Sequence, residues 1–109
     1  MSVDDARLAL TSVGTLEDAN RIARLLVEER LAACVNIVPG VQSVYRWEGR
    51  VTIDGELLLL IKTTVSMVAA LQARLADIHP YDLPEFVVID PEGLAPRYQQ
   101  WSVDSVRPS

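Results

Sequence analysis

The chain has little of what metal centres, thiol enzymes and nucleic-acid binders are usually built from. One cysteine, Cys34, and one histidine, His79, occur in 109 residues. A single cysteine excludes an internal disulfide and any CxxC zinc site. A single histidine leaves a firm copper or zinc centre short of the imidazole and thiolate ligands it normally combines. No run of lysine and arginine exists, and the net charge is −5, so nothing is present to neutralise a phosphate backbone and no nucleic-acid partner is expected. No uninterrupted apolar stretch approaches the roughly 20 residues that span a bilayer. The N-terminus, MSVDDAR, carries aspartates where a secretory signal carries basic residues. The expectation is a soluble, cytoplasmic protein without a membrane partner. Glycine-rich phosphate loops, nucleophile motifs, recognisably spaced acid pairs and cofactor fingerprints are missing too, Gly14 being isolated. The chain therefore reads as a non-enzyme that requires no cofactor. With no repeat, low-complexity tract or dividing linker, it reads as one domain over residues 1–109.

What is present is apolar and periodic. Half of the residues are hydrophobic, although a chain of this size buries only about two thirds of its unfolded surface. Ala6 to Val13 alternates like a strand and ends at Gly14. From Thr15, a good N-cap with Asp18 three residues on, Leu16, Ala19, Ile22, Ala23 and Leu26 form a helical stripe. The opposite face offers Glu17 with Arg21 and Arg24 with Glu28 at i,i+4. Ala33 to Trp47 is a valine-rich strand interrupted by a bulge or bend at Pro39 and Gly40, Glu48 and Gly49 form a turn, and Val51 to Thr63 returns as a strand kinked near Asp54 and Gly55. Val65, Val68, Leu71, Leu75 and Ile78 mark a second helix that stops at His79, before Pro80. Glu85 to Asp90 is a fourth strand, and Leu94 to Val103 a short helix with Tyr98 and Trp101 on one side.

This order is the split βαβ arrangement: an α+β, ferredoxin-like βαββαβ fold with an antiparallel sheet, helices on one face and a short C-terminal helix. The uncovered face of such a sheet normally shows polar residues at every second position. Here Leu57 to Ile61 is apolar on both faces, and Cys34 and Val38 add to the second face. Either the C-terminal helix and edge irregularity cover part of it, or the chain self-associates, as exposed apolar patches of this kind imply. The hairpin around Tyr45 to Val51 would project past the sheet and pair with a neighbour's edge.

The segments EERLAACVNIVPGVQSVYRWEG, GELLLLIKTT, HPYDLPE and the terminal YQQW, in this order and spacing, resemble the CutA family of divalent-cation tolerance proteins. The resemblance runs from about Thr11 to Ser102. It implies a ferredoxin-like fold, a homotrimer with sheets packed around a threefold axis, a role in tolerance of copper and other divalent ions, and kinship to the P-II signal transducers. No cofactor is required, and Cu(II) or another divalent cation is the ligand that role implies. Family members proposed to bind copper carry a cysteine near the end of the first strand and a His-His pair before Pro-Tyr. The matching positions here are Leu10, Ile78 and His79, so one such ligand survives.

The residues themselves leave alternatives. His79 is either a metal ligand helped by Glu85, or a helix terminator satisfying free carbonyls at a rigid proline corner. Cys34 is either a small core hydrophobe or a further metal ligand. Asn36 and Lys62, polar in strands that otherwise read as buried, need partners. They meet Tyr81, Glu56 or Glu85 in a ligand cleft between subunits, or they pair across an ordinary interface. Tyr45 and Trp47 read as interface packing, together with Leu58 and Leu60. Three functions follow: a metal-tolerance protein that binds ions weakly or acts indirectly; a P-II-like module sensing a small anion through Lys62 and Arg46 or Arg50; and, least supported, an enzyme using His79 with Glu85.

Overall fold

Thr15 begins the first helix as its chemistry predicts. In the computed structural model, which describes residues 4–107, its hydroxyl accepts the Asp18 N–H at 3.1 Å. The ends of the single-domain reading, 1–3 and 108–109, lie outside the described residues. The helix, α1 (Leu16–Glu28), follows strand β1 (Ala6–Val13) and buries Ala19, Ile22 and Leu26. Leu16, expected in the same stripe, sits in the first turn and is 57% exposed. On the outer face Arg24 pairs with Glu28 as expected, but Arg21 pairs with Asp18, one residue nearer than Glu17. Arg21 also donates to the Ile78 carbonyl at 3.0 Å, which fixes the end of the second helix. The chain leaves α1 through Arg30, whose φ of 60° lies in the left-handed region that usually closes helices.

Strand β2 (Cys34–Trp47) pairs with β3 (Arg50–Thr64). The register moves from Val38 opposite Leu58 to Val41 opposite Glu56, so β2 carries one extra residue at Pro39 and Gly40. Proline supplies no ladder N–H, and Gly40 takes φ 76°. β3 is continuous where a kink was expected: Gly55 pairs with Gln42 and Asp54 with Ser43. The bend belongs to β2 alone. Glu48 and Gly49 both take positive φ, the geometry a two-residue hairpin turn requires.

A 3-10 turn at Val65–Met67 leads into α2 (Val68–Ile78), which buries Leu71 and Leu75. The Asp4 carboxylate accepts from both the Ser66 N–H (3.1 Å) and its hydroxyl (2.6 Å), capping that turn. The fourth strand, β4, is only Val87–Ile89, shorter than the expected Glu85 to Asp90. The last helix, α3 (Pro96–Val106), begins on a proline, whose missing N–H costs nothing at that position.

The sheet order is β2-β3-β1-β4, antiparallel throughout, the ferredoxin-like arrangement. Register settles which leucines face where. Leu57, Leu59 and Ile61 join Ala9, Val13, Ile22, Leu26, Leu71 and Leu75 in the core beneath α1 and α2. Leu58 and Leu60 point to the other face. α3 covers one end of that face, where Gln99 accepts the Ala6 N–H and the Tyr98 ring lies against Lys62. The remainder stays open, and the hairpin extends the chain to 49 Å against 27 and 22 Å in the other directions.

Candidate functional site

Two features stand out: the corner at His79 and the open sheet face. At the corner, α2 ends with the His79 N–H bonded to the Leu75 carbonyl, and ψ of 135° turns the backbone away ahead of Pro80. His79 is 7% exposed. Its Nε2 lies 2.9 Å from the Ser12 carbonyl oxygen, which can only accept, so Nε2 carries the proton. Its Nδ1 accepts the Tyr81 backbone N–H at 3.1 Å. These two bonds define one neutral tautomer. Burial lowers the imidazole pKa below its ordinary value, against the opposing pull of the Ser12 carbonyl and the Asp18 and Glu56 carboxylates; Arg21 pushes it further down. A neutral imidazole binds a metal through its one lone pair, and here that lone pair faces the Tyr81 N–H.

Tyr81 extends the corner to β3. Its ring meets His79 edge-on, with centroids 4.8 Å apart, and its hydroxyl donates to Glu56 Oε2 at 2.7 Å. Burial, and then the Glu56 carboxylate, raise the phenol's pKa. A Cβ on Gly14 would stand 3.3 Å from the Tyr81 hydroxyl, so glycine leaves that oxygen its room. One step along β3, the Tyr45 hydroxyl donates to Asp54, and that bond raises the Tyr45 pKa. Asp54 and Glu56 thus stand side by side on one strand face, each engaged by a phenol.

The sequence-predicted metal set is not gathered. Cys34 lies opposite Lys62 on the open sheet face, half-buried and outside the core cluster. His79 bonds Ser12, which shares a cross-strand row with Leu58 and Val38, about 13 Å along the strands from Cys34. Glu85 is exposed ahead of β4. Among the described residues no group of three or more His, Cys, Asp or Glu side chains converges. Within one chain the residues of the predicted intersubunit ligand cleft lie apart. Lys62 and Asn36 lie in neighbouring rows of the open face, Asn36 exposed rather than buried. Tyr81 is held at Glu56, six residues along β3 from Lys62, about 20 Å away.

The open face is built from three cross-strand rows: Cys34, Lys62, Leu8 and Ile89; Asn36, Leu60, Leu10 and Val87; Val38, Leu58 and Ser12. Aliphatic side chains dominate it, and Val38, Val87 and Ile89 are each more than a third exposed. Tyr45 and Trp47 are exposed on the hairpin, and on its reverse face Val44, Val51 and Ile53 are about 60% exposed. Sequence reading missed Ser12, whose contribution is a backbone carbonyl and leaves no side-chain signal. It also missed the contact of Gly14 with Tyr81, and a cavity of about 470 Å³ between the start of β1 and α3, lined by Asp5, Arg7, Asp90, Glu92 and Gln99. There Arg7 pairs with Asp90 at 3.3 Å.

Comparison with known proteins agrees with this architecture. Residues 7–105 match the family described as CutA1 divalent ion tolerance protein. The chain is 54% identical over 82 residues to the divalent-cation tolerance protein CutA of Thermus thermophilus, covering 75% of this chain and 80% of that one. It is 44% identical over 98 residues to protein CutA 1, chloroplastic, of Oryza sativa subsp. japonica, covering 90% of this chain and 55% of that one. It thus spans about half the length of the rice relative. The crystal structure of divalent ion tolerance protein CutA1 from Ehrlichia chaffeensis superposes with a TM-score of 0.92 at 36% identity, covering 98% of this chain and all of that one.

Proposed function

This chain belongs to the CutA1 divalent ion tolerance family, and from that membership we propose that it is a cytoplasmic, non-enzymatic homotrimer serving tolerance of copper and other divalent ions, with weak or indirect metal binding. The observation that carries the weak-binding reading is at the corner. Both ring nitrogens of the only histidine are engaged by backbone groups, so a metal entering there must displace the Tyr81 N–H. The open apolar face supports self-association, since apolar area of this kind is stabilised by being covered. The alternative, a P-II-like module taking a small anion at a cleft between subunits through Lys62 and Arg46 or Arg50, has less support, because no glycine-rich phosphate loop accompanies these residues.

Calorimetric titration of the assembled protein with copper(II) and zinc tests this reading, with a nucleotide panel for the alternative. Micromolar or weaker copper binding is expected. Nanomolar affinity would overturn it and direct attention to Cys34. Tight nucleotide binding lost in Lys62→Met would favour the anion sensor.

A further inference from the structure

Lys62 is the only charged side chain in the three cross-strand rows of the open face. It is half-buried, its ammonium lies 5.6 Å from the Tyr98 ring centroid, and among the described residues no carboxylate pairs with it. An aromatic face is a modest partner for a lysine that loses its water. A cover that brings an anion to Lys62 would offset that loss.

The same face carries one. Glu56 stands on the same side of β3, six residues and about 20 Å from Lys62, with Leu58 and Leu60 between them. Glu56 is half-buried and held by the Tyr81 hydroxyl through Oε2, which leaves Oε1 without a hydrogen-bond partner among the described residues. One apolar strip thus has a positive end and a negative end. Such a strip can meet a second copy head to tail, the positive end of one against the negative end of the next, and repetition around a ring gives one such contact per junction.

Resting on the reading that copies of this chain cover the open face, we propose that Glu56 of a second copy is the ion-pair partner of Lys62, and that this pair sets the direction in which the two faces meet. Tyr81 acts as a positioning residue, since its hydroxyl fixes the carboxylate before the copies associate. The partner is identified by charge complementarity: the lysine lacks an acid, and the identical face presents an acid with an oxygen to spare.

Substitutions of opposite expected sign test this in the full chain. Sedimentation equilibrium would give the dissociation constant for wild type, Lys62→Met, Glu56→Gln, Lys62→Glu and the swapped double Lys62→Glu/Glu56→Lys, with circular dichroism confirming that each is folded. If the pair forms, Lys62→Met strands a carboxylate in the interface and weakens association by at least about tenfold, Glu56→Gln does the same, and the swapped double recovers most of what Lys62→Glu loses. If no acid faces Lys62, Lys62→Met removes a desolvated charge and association tightens or stays unchanged, which overturns the proposal. A swapped double no better than Lys62→Glu also overturns it. A wild-type chain that is monomeric at micromolar concentration would instead overturn the underlying reading of self-association, and the pair with it.

Discussion

His79 Nε2 sits 2.9 Å from the carbonyl oxygen of Ser12, and that bond ties the end of α2 to the end of β1 across 67 residues of sequence. The ring's other nitrogen holds the Tyr81 N–H, so one neutral side chain organises the whole corner. The histidine that most resembles a metal ligand in the sequence acts in the fold as a backbone cap.

This has a pH consequence. Burial lowers the folded-state pKa of His79 below its unfolded value, so the unfolded chain binds the proton more readily. The stability contributed by neutral His79 is therefore present above the unfolded value of about 6.5 and is lost as pH falls through that value toward the lower folded one. Urea midpoints should drop between pH 7 and 5. In His79→Gln, which keeps a donor and an acceptor but does not titrate, this part of the drop should vanish. An identical slope in both proteins would assign the pH dependence to the carboxylates.

His79→Ala removes the acceptor of the Tyr81 N–H and the donor to Ser12 together, and should cost about 2 kcal/mol of unfolding free energy. A surface ligand with no structural task would cost almost nothing, so chemical denaturation separates the two roles without any metal present.

Thr11 is fully buried under the helices, beside Ala9 and Val13, and among the described residues its hydroxyl has no hydrogen-bond partner. Thr11→Val keeps the shape and removes an orphaned polar atom, so stability should rise by about 1 kcal/mol. A loss instead would mean that the hydroxyl has a partner in solution, an ordered water for example.

The helices were legible because their apolar spacing and terminators agree. Thr15 caps α1, and Pro80 forces the exit of α2 at His79. The bulge was legible from Pro39 and Gly40, which suit no regular ladder. Asp54 and Gly55 misled because a glycine in a strand suggests a bend, whereas the neighbouring strand had already absorbed the extra residue. β4 was overestimated since Glu85 to Asp90 has β-type composition without partners along its whole length. The corner was half legible: proline fixed its shape, but the bonds that define His79 come from backbone groups of Ser12 and Tyr81, and backbone atoms leave no trace in composition. Both strand faces of Leu57 to Ile61 read alike in sequence. Only the register, with Leu59 opposite Thr11 and Leu60 opposite Leu10, assigns one to the core and the other to the open face.

That assignment separates two effects that the sequence alone leaves merged. Leu59 is completely buried within the chain, so Leu59→Asp places an unpaired carboxylate in the core and should unfold the protein. Leu60 lies on the open face next to Leu10, where an isolated chain leaves room for water. Leu60→Asp should therefore keep the circular dichroism of a folded chain while abolishing association. Light scattering on wild type should report about three times the chain mass at micromolar concentration, and on Leu60→Asp a folded monomer. A Leu60→Asp protein that still associates would place the interface elsewhere, with the exposed hairpin residues Val44, Val51 and Ile53 as the next surface to charge. Loss of the fold in Leu60→Asp, with wild type associated, would mean that the chain depends on its neighbours for a stable core, as the limited burial available to so short a chain allows.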